Sequence, residues 1–155
     1  MFNLVSRSTA LILIVVVSSM PLFAQQTGQQ MQQQQMRQHQ EMQVMMQRMN
    51  QMMERTQAMT QDMNRRMEQA QNEQMKNQFQ MMHRFGEQMG MTLGNMKNAA
   101  ERCDLMLQNR EMMQNREMRQ DMERMQKHLS DMTEQMEEAV RTMERMTTRL
   151  REHQQ

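Results

Sequence analysis

Thioether sulfur is the abundant reactive group of this chain. Methionine fills 29 of its 155 positions, against one cysteine (Cys103), four histidines and no tryptophan or tyrosine. Thioethers do two kinds of chemistry. They take up one oxygen from hypochlorous acid or a related oxidant to give the sulfoxide, which a reductase can reverse. They also ligate soft ions, Cu(I) above all and by the same softness Ag(I).

The spacing offers candidates for both. Met36-x-x-His39-x-x-Met42-x-x-Met45 sets four soft ligands at three-residue intervals, and Met82-His83 and Met125-x-x-His128 are smaller sets of the same kind. For oxidation, the candidates are methionines doubled beside positions of an apolar stripe, Met46, Met53, Met81, Met91 and Met113, which a packed stripe does not require. The stripe residues Met122, Met125, Met132, Met136, Met143 and Met146 would follow once packing loosens. Competing oxidisable groups are scarce, and lysine is confined to Lys76, Lys97 and Lys127 while arginine carries most of the basic charge. His153 lies in the tail and draws no role. No phosphate-binding glycine loop, nucleophile elbow or zinc-ligand motif is present, so the chain does not read as an enzyme.

The elements that must position these groups read as helix throughout. Residues 1–24 have the form of an export signal, with Arg7 before the apolar run 10–17 and Pro21-Leu-Phe-Ala24 leading to Gln25. The expectation is a periplasmic protein with no stable membrane insertion after cleavage. The run is too short to span a bilayer comfortably. Of the 29 methionines, Met1 and Met20 precede Gln25, which leaves 27. Other large apolar residues are few after that point, so only methionine can supply a core. Removal of Arg7 takes the formal net charge from +1 to zero, which argues against nucleic acid as a partner.

Residues 25–40 form a glutamine-rich tract that reads as a flexible lead. From residue 41 a heptad seam runs Met42, Met45, Met49, Met52, Thr56, Met59, Met63 and, after a slip, resumes as Met75, Phe79, Met82. A second seam runs Met122, Met125, Leu129, Met132, Met136, Ala139, Met143, Met146, Leu150. Three of the four glycines, Gly86, Gly90 and Gly94, lie between them, followed by the capping pattern Asn98-Ala-Ala-Glu101. This predicts an all-α protein: helix 41–85, a turn or hinge at 86–97, and helix 98–152, folded as an antiparallel hairpin or coiled coil. The rival is one continuous helix through the glycines, because Met82, Gly86, Met89, Leu93, Met96, Ala100, Cys103 and Leu107 keep the same rhythm. Around 108–118 the rhythm blurs and Gln-Asn-Arg-Glu-Met occurs twice, at 108–112 and 114–118. Self-association is expected from seams of this length, and Cys103 offers either packing or a disulfide between copies.

In its signal, size, Met/Gln/Glu/Arg helical composition and lack of other motifs, the chain resembles methionine-rich periplasmic proteins that scavenge hypochlorite. That resemblance implies a periplasmic methionine sulfoxide reductase as partner and no cofactor. The Met/His spacings resemble, over a short stretch only, those of periplasmic copper and silver resistance proteins, which implies Cu(I) or Ag(I) binding. A small helical stress chaperone is a third reading, resting on shape and compartment alone.

Overall fold

The computed structural model describes the backbone of residues 20–152 and the side chains of residues 29–152. Residues 1–19, and with them most of the expected signal 1–24, lie outside the described residues. The fold is all-α, as predicted. Four helices follow one another: α1 Met20–Gln69, α2 Glu73–Gln108, the single turn α3 Arg110–Gln114, and α4 Arg116–Glu152. No helix among the described residues is long and apolar enough to cross a membrane. The chain divides into two units at residue 34. In the first, residues 20–34 are helical, and the glutamine-rich tract continues as helix to residue 40. The tract expected as a flexible lead is helical: glutamine and methionine are good helix formers, and no proline or glycine interrupts them after Gly28.

The second unit is a bundle of three helices, not a hairpin of two. The breaks fall at 70–72 and 109–115, and asparagine makes each of them. Asn72 Oδ1 accepts the Met75 N–H at 2.9 Å and starts α2. Asn109 Oδ1 accepts the N–H groups of Glu111 and Met112 at 3.0 and 3.1 Å and starts α3. Asn115 does the same for Glu117 and Met118 at 2.9 and 3.3 Å, starting α4. Each satisfies donors that a helix start leaves open. The duplicated Gln-Asn-Arg-Glu-Met is thus a duplicated cap.

The turn expected at 86–97 is helix. Gly86, Gly90 and Gly94 sit inside α2, and none has the positive φ that would favour glycine. Gly86 is there for close approach: a Cβ on it would lie 2.6 Å from Thr60 Oγ1 and 2.8 Å from Met143 Cε. That one contact joins all three long helices. With His39 hydrogen-bonded to Asp104 further along, it runs α2 antiparallel to α1. The α1–α4 pairs Arg48–Glu137, Arg55–Glu144 and Asp62–Arg151 advance together by seven residues, so those two helices run parallel.

The seams on α1 and α2 pack as read. Met42, Met45, Met49, Met52, Thr56, Met59 and Met63 are buried, as are Met82, Gly86, Met89, Leu93, Met96, Ala100, Cys103 and Leu107. The seam on α4 is corrected. Its buried residues are Met122, Gln126, Leu129, Thr133, Val140, Met143 and Thr147, with Met136 and Leu150 half-buried. One heptad position in two has moved on by one residue. A helix in a two-stranded coil meets one partner, whereas α4 meets α1 and α2, and its covered arc turns towards α1.

Candidate functional site

The bundle sorts the thioethers into layers. The α1 layer is closed: Met42, Met49, Met52 and Met63 are among the most deeply buried side chains of the chain. The α4 layer is inverted. Met125, Met132 and Met146 are 39%, 43% and 47% exposed, while the neighbouring Gln126, Thr133 and Thr147 are 7%, 0% and 2% exposed. Burying hydroxyl and amide while leaving thioether outside runs against the hydrophobic effect. Thr133 recovers part of this by donating to the Leu129 carbonyl at 2.7 Å and Gln126 by donating to Glu41 at 2.7 Å. The buried hydroxyl of Thr147 has no hydrogen-bond partner.

The doubled methionines divide as well. Met81 and Met91 are exposed, as expected. Met53 is half-buried and so keeps the partial exposure expected of it, whereas Met46 and Met113 are buried, which corrects the expectation for those two. Met46 lies on the side of α1 that faces α2, beside the groove it shares with Lys97 and Asp104, so a bundle covers what a hairpin would leave open. Of the α4 stripe, Met122 and Met143 are buried and Met136 is half-buried. Met36, outside the expected oxidant set, is exposed.

The structure does not gather the four-ligand metal stripe. Met42 and Met45 turn into the core and Met36 turns out to solvent. His39 is committed elsewhere, with Nδ1 2.6 Å from Asp104 Oδ1; Gln108 also donates to that carboxylate, at 3.1 Å. Three-residue steps drift about 60° around a helix each time, so four of them cannot share one face. Met82 is buried while His83 is partly open and lies 3.5 Å from Glu87, so this pair is split as well. Met125 and His128 are both exposed on one side of α4. Among the described residues no three of His, Cys, Asp and Glu are grouped to hold a metal ion.

Cys103 is free and wholly buried. Burial, then the charge of neighbouring Asp104, pushes its thiol pKa up. A protonated thiol inside the bundle is a poor nucleophile and cannot reach another copy while the fold is closed, so the expected choice falls to packing.

The flank of α1 towards α4 carries the charges. Arg55 holds Glu144 through two hydrogen bonds at 2.8 and 2.6 Å, and this bond raises the arginine's pKa. Burial would raise the Asp62 carboxyl, but hydrogen bonds from Arg66 and Arg151 outweigh it and hold the group below its usual range. Glu137 is likewise held low, chiefly by its hydrogen bond from Arg48.

No family model, curated protein or solved structure matches this chain.

Proposed function

We propose that the protein is an exported, non-enzymatic oxidant scavenger whose exposed thioethers are the consumed groups. The observation that carries this reading is the inversion on α4. Methionine stands outside at 125, 132 and 146 while Gln126, Thr133 and Thr147 fill the interior, so core packing is not what those methionines serve. Met36, Met81 and Met91 extend the same exposed set. Each reaction transfers one oxygen: hypochlorous acid and the thioether give the sulfoxide, chloride and a proton, and two electrons leave the sulfur. Because these side chains already meet water, their sulfoxides create no buried unpaired polar group, and the bundle survives its first turnovers. A sulfoxide reductase of the same compartment would restore the thioether. Cys103, buried and protonated, is withheld from this chemistry.

The test is hypochlorite treatment followed by peptide mass mapping and reductase repair. Sulfoxide should appear first at the exposed methionines, and the reductase should return the original mass. Reaction no faster than that of free methionine, with no repair, would sink the proposal.

A second reading, soft-metal binding, keeps one support. Met125 and His128 share an exposed side of α4, and Met132 follows four residues after the histidine. Cu(I) titration of His128→Ala against the parent, under reducing conditions, decides whether that trio binds.

A further inference from the structure

The three edges of the bundle are closed differently. Between α1 and α4 the flanking positions carry the ladder of Arg48, Arg55 and Asp62 against Glu137, Glu144 and Arg151. Between α1 and α2 they carry His39 against Asp104, with Met46 and Lys97 in the same groove. The flanks left over face each other along the third edge. On α2 these are Phe85, Thr92, Ala99 and Met106, one heptad apart; on α4 they are Met125, Met132, Ala139 and Met146. Phe85, Met125, Met132 and Met146 are exposed, and Met106 and Ala139 are half-buried against the core. Among the described residues these flanks are apolar or small and carry no charged side chain.

We infer that this α2–α4 edge is the surface on which a second copy of the chain docks. Four features favour another copy. The next positions outward are neutral along the middle of the edge, Gln88 and Asn95 on α2 and Gln135 and Thr142 on α4. Loss of charge at the centre, with methionine and phenylalanine in its place, distinguishes interface cores from ordinary surface. Thr92, Ala99 and Ala139 are small and lie near the midpoint, which lets helices approach. Charges return only at the ends, and on α4 they are opposite in sign, Asp121 at one end and Arg149 at the other. A two-fold axis perpendicular to the helices would set each copy's Asp121 towards its partner's Arg149, replacing the exposed 3.5 Å contact between Asp121 and Arg124. A formal net charge of +1 leaves little repulsion between copies.

From Phe85 to Met106 the edge is about 30 Å long at 1.5 Å per residue and, two helices wide, about 20 Å across. That is on the order of 600 Å² on each copy, somewhat below the roughly 800 Å² per partner of a stable complex. An interface of that size fits a weak, reversible dimer. The pairing stands whether or not the thioethers are consumed as proposed, and it leaves Met36 and Met91 outside.

Sedimentation analysis of the protein as recovered from cells, across 1 to about 500 μM, tests this. The parent should pass from monomer to dimer. Met132→Glu and Met146→Glu should each weaken dimerisation at least tenfold while far-UV circular dichroism stays unchanged. Met91→Glu, on the outward side of α2, should leave it unaltered. Asp121→Arg should weaken the dimer, and adding Arg149→Asp should restore it. A parent that stays monomeric throughout overturns the inference, even if the edge holds some other chain. So does a dimer indifferent to both the Met132 and Met146 changes.

Discussion

Arg55 holds Glu144 in a fork, Nε to Oε1 at 2.8 Å and Nη2 to Oε2 at 2.6 Å, across 89 residues of sequence. The same separation joins Arg48 to Glu137 and Asp62 to Arg151. A constant separation is possible only if α1 and α4 run parallel, so this pair measures the topology. Both side chains are 39% exposed, so the interaction is screened and worth about 0.5–1 kcal/mol. A double-mutant cycle of Arg55→Ala and Glu144→Ala should return a coupling of that size, shrinking in 1 M salt. Zero coupling at low salt would mean that the fork contributes nothing to stability.

The ladder also fixes the acid limb of stability. Asp62 and Glu137 have pKa values lowered in the fold. A carboxylate lowered on folding contributes stability that is complete above its unfolded pKa and lost as pH falls through the folded one. Their ordinary values are 3.8 and 4.5, so the loss should begin near pH 4.5 and continue below pH 4. Asp62→Asn with Glu137→Gln should flatten the decline in urea-unfolding free energy between pH 5 and pH 3. An equally steep decline in the variant would place the acid sensitivity elsewhere.

The glycines of α2 give opposite expectations at neighbouring positions. Around Gly90 and Gly94 a Cβ meets nothing within 4 Å, so alanine should stabilise by about 0.5–1 kcal/mol at each through helix propensity. At Gly86 the same methyl meets Thr60 Oγ1, which is held by its 2.7 Å hydrogen bond to the Thr56 carbonyl. Overpacking there should cost about 1–3 kcal/mol, more than propensity returns. Thermal unfolding of the three variants checks the pattern. Destabilisation by Gly90→Ala would restore the case for a turn.

How much of this was legible follows the contrast between methionine and its neighbours. On α1 and α2 the buried residues are mostly apolar, Gln38, Thr56 and Asp104 apart, and those between are mostly polar, so period alone located both stripes. On α4 the rule inverts, because Gln126, Thr133 and Thr147 are inside and Met125, Met132 and Met146 outside. A reading that puts the most apolar residue inwards selects the wrong member of each adjacent pair. The turns were missed for a related reason. Glycine drew attention at 86–94, but the breaks are made by capping. The chain has three Gln-Asn pairs, at 71–72, 108–109 and 114–115, and every one is a helix boundary. The signal was present in the repeated pentapeptide and needed to be read as N-caps.

Buried hydroxyls offer a stabilising change. Thr56 is fully enclosed and its Oγ1 has no hydrogen-bond partner. Thr56→Val keeps the shape and removes the unpaired group, so a gain of roughly 1 kcal/mol is expected, set by the desolvation of a lone hydroxyl. Urea denaturation should show a higher midpoint with unchanged slope. A loss of stability would mean that the hydroxyl is satisfied in solution, for instance by water.

The layering makes a sharper demand on oxidation than composition does. Exposed sulfoxides at Met31, Met36, Met81, Met91, Met118, Met125, Met132 and Met146 add polarity where water already reaches. A sulfoxide at Met42, Met49 or Met63 would have to stay in a closed core, at roughly 1–3 kcal/mol each without a partner. Stability of a domain this size is typically about 5–15 kcal/mol, so a few core events would open the bundle. Titration with hypochlorite below the concentration of self-association should therefore show two phases. In the first, mass rises by the exposed set alone and helicity holds. In the second, the buried α1 methionines react together and helicity falls. Replacing Met125, Met132 and Met146 by leucine should shorten the first phase by three oxygens without moving the onset of unfolding per core sulfoxide formed. If helicity falls from the first equivalent, the exposed thioethers are not a separate layer and the inversion on α4 serves something else.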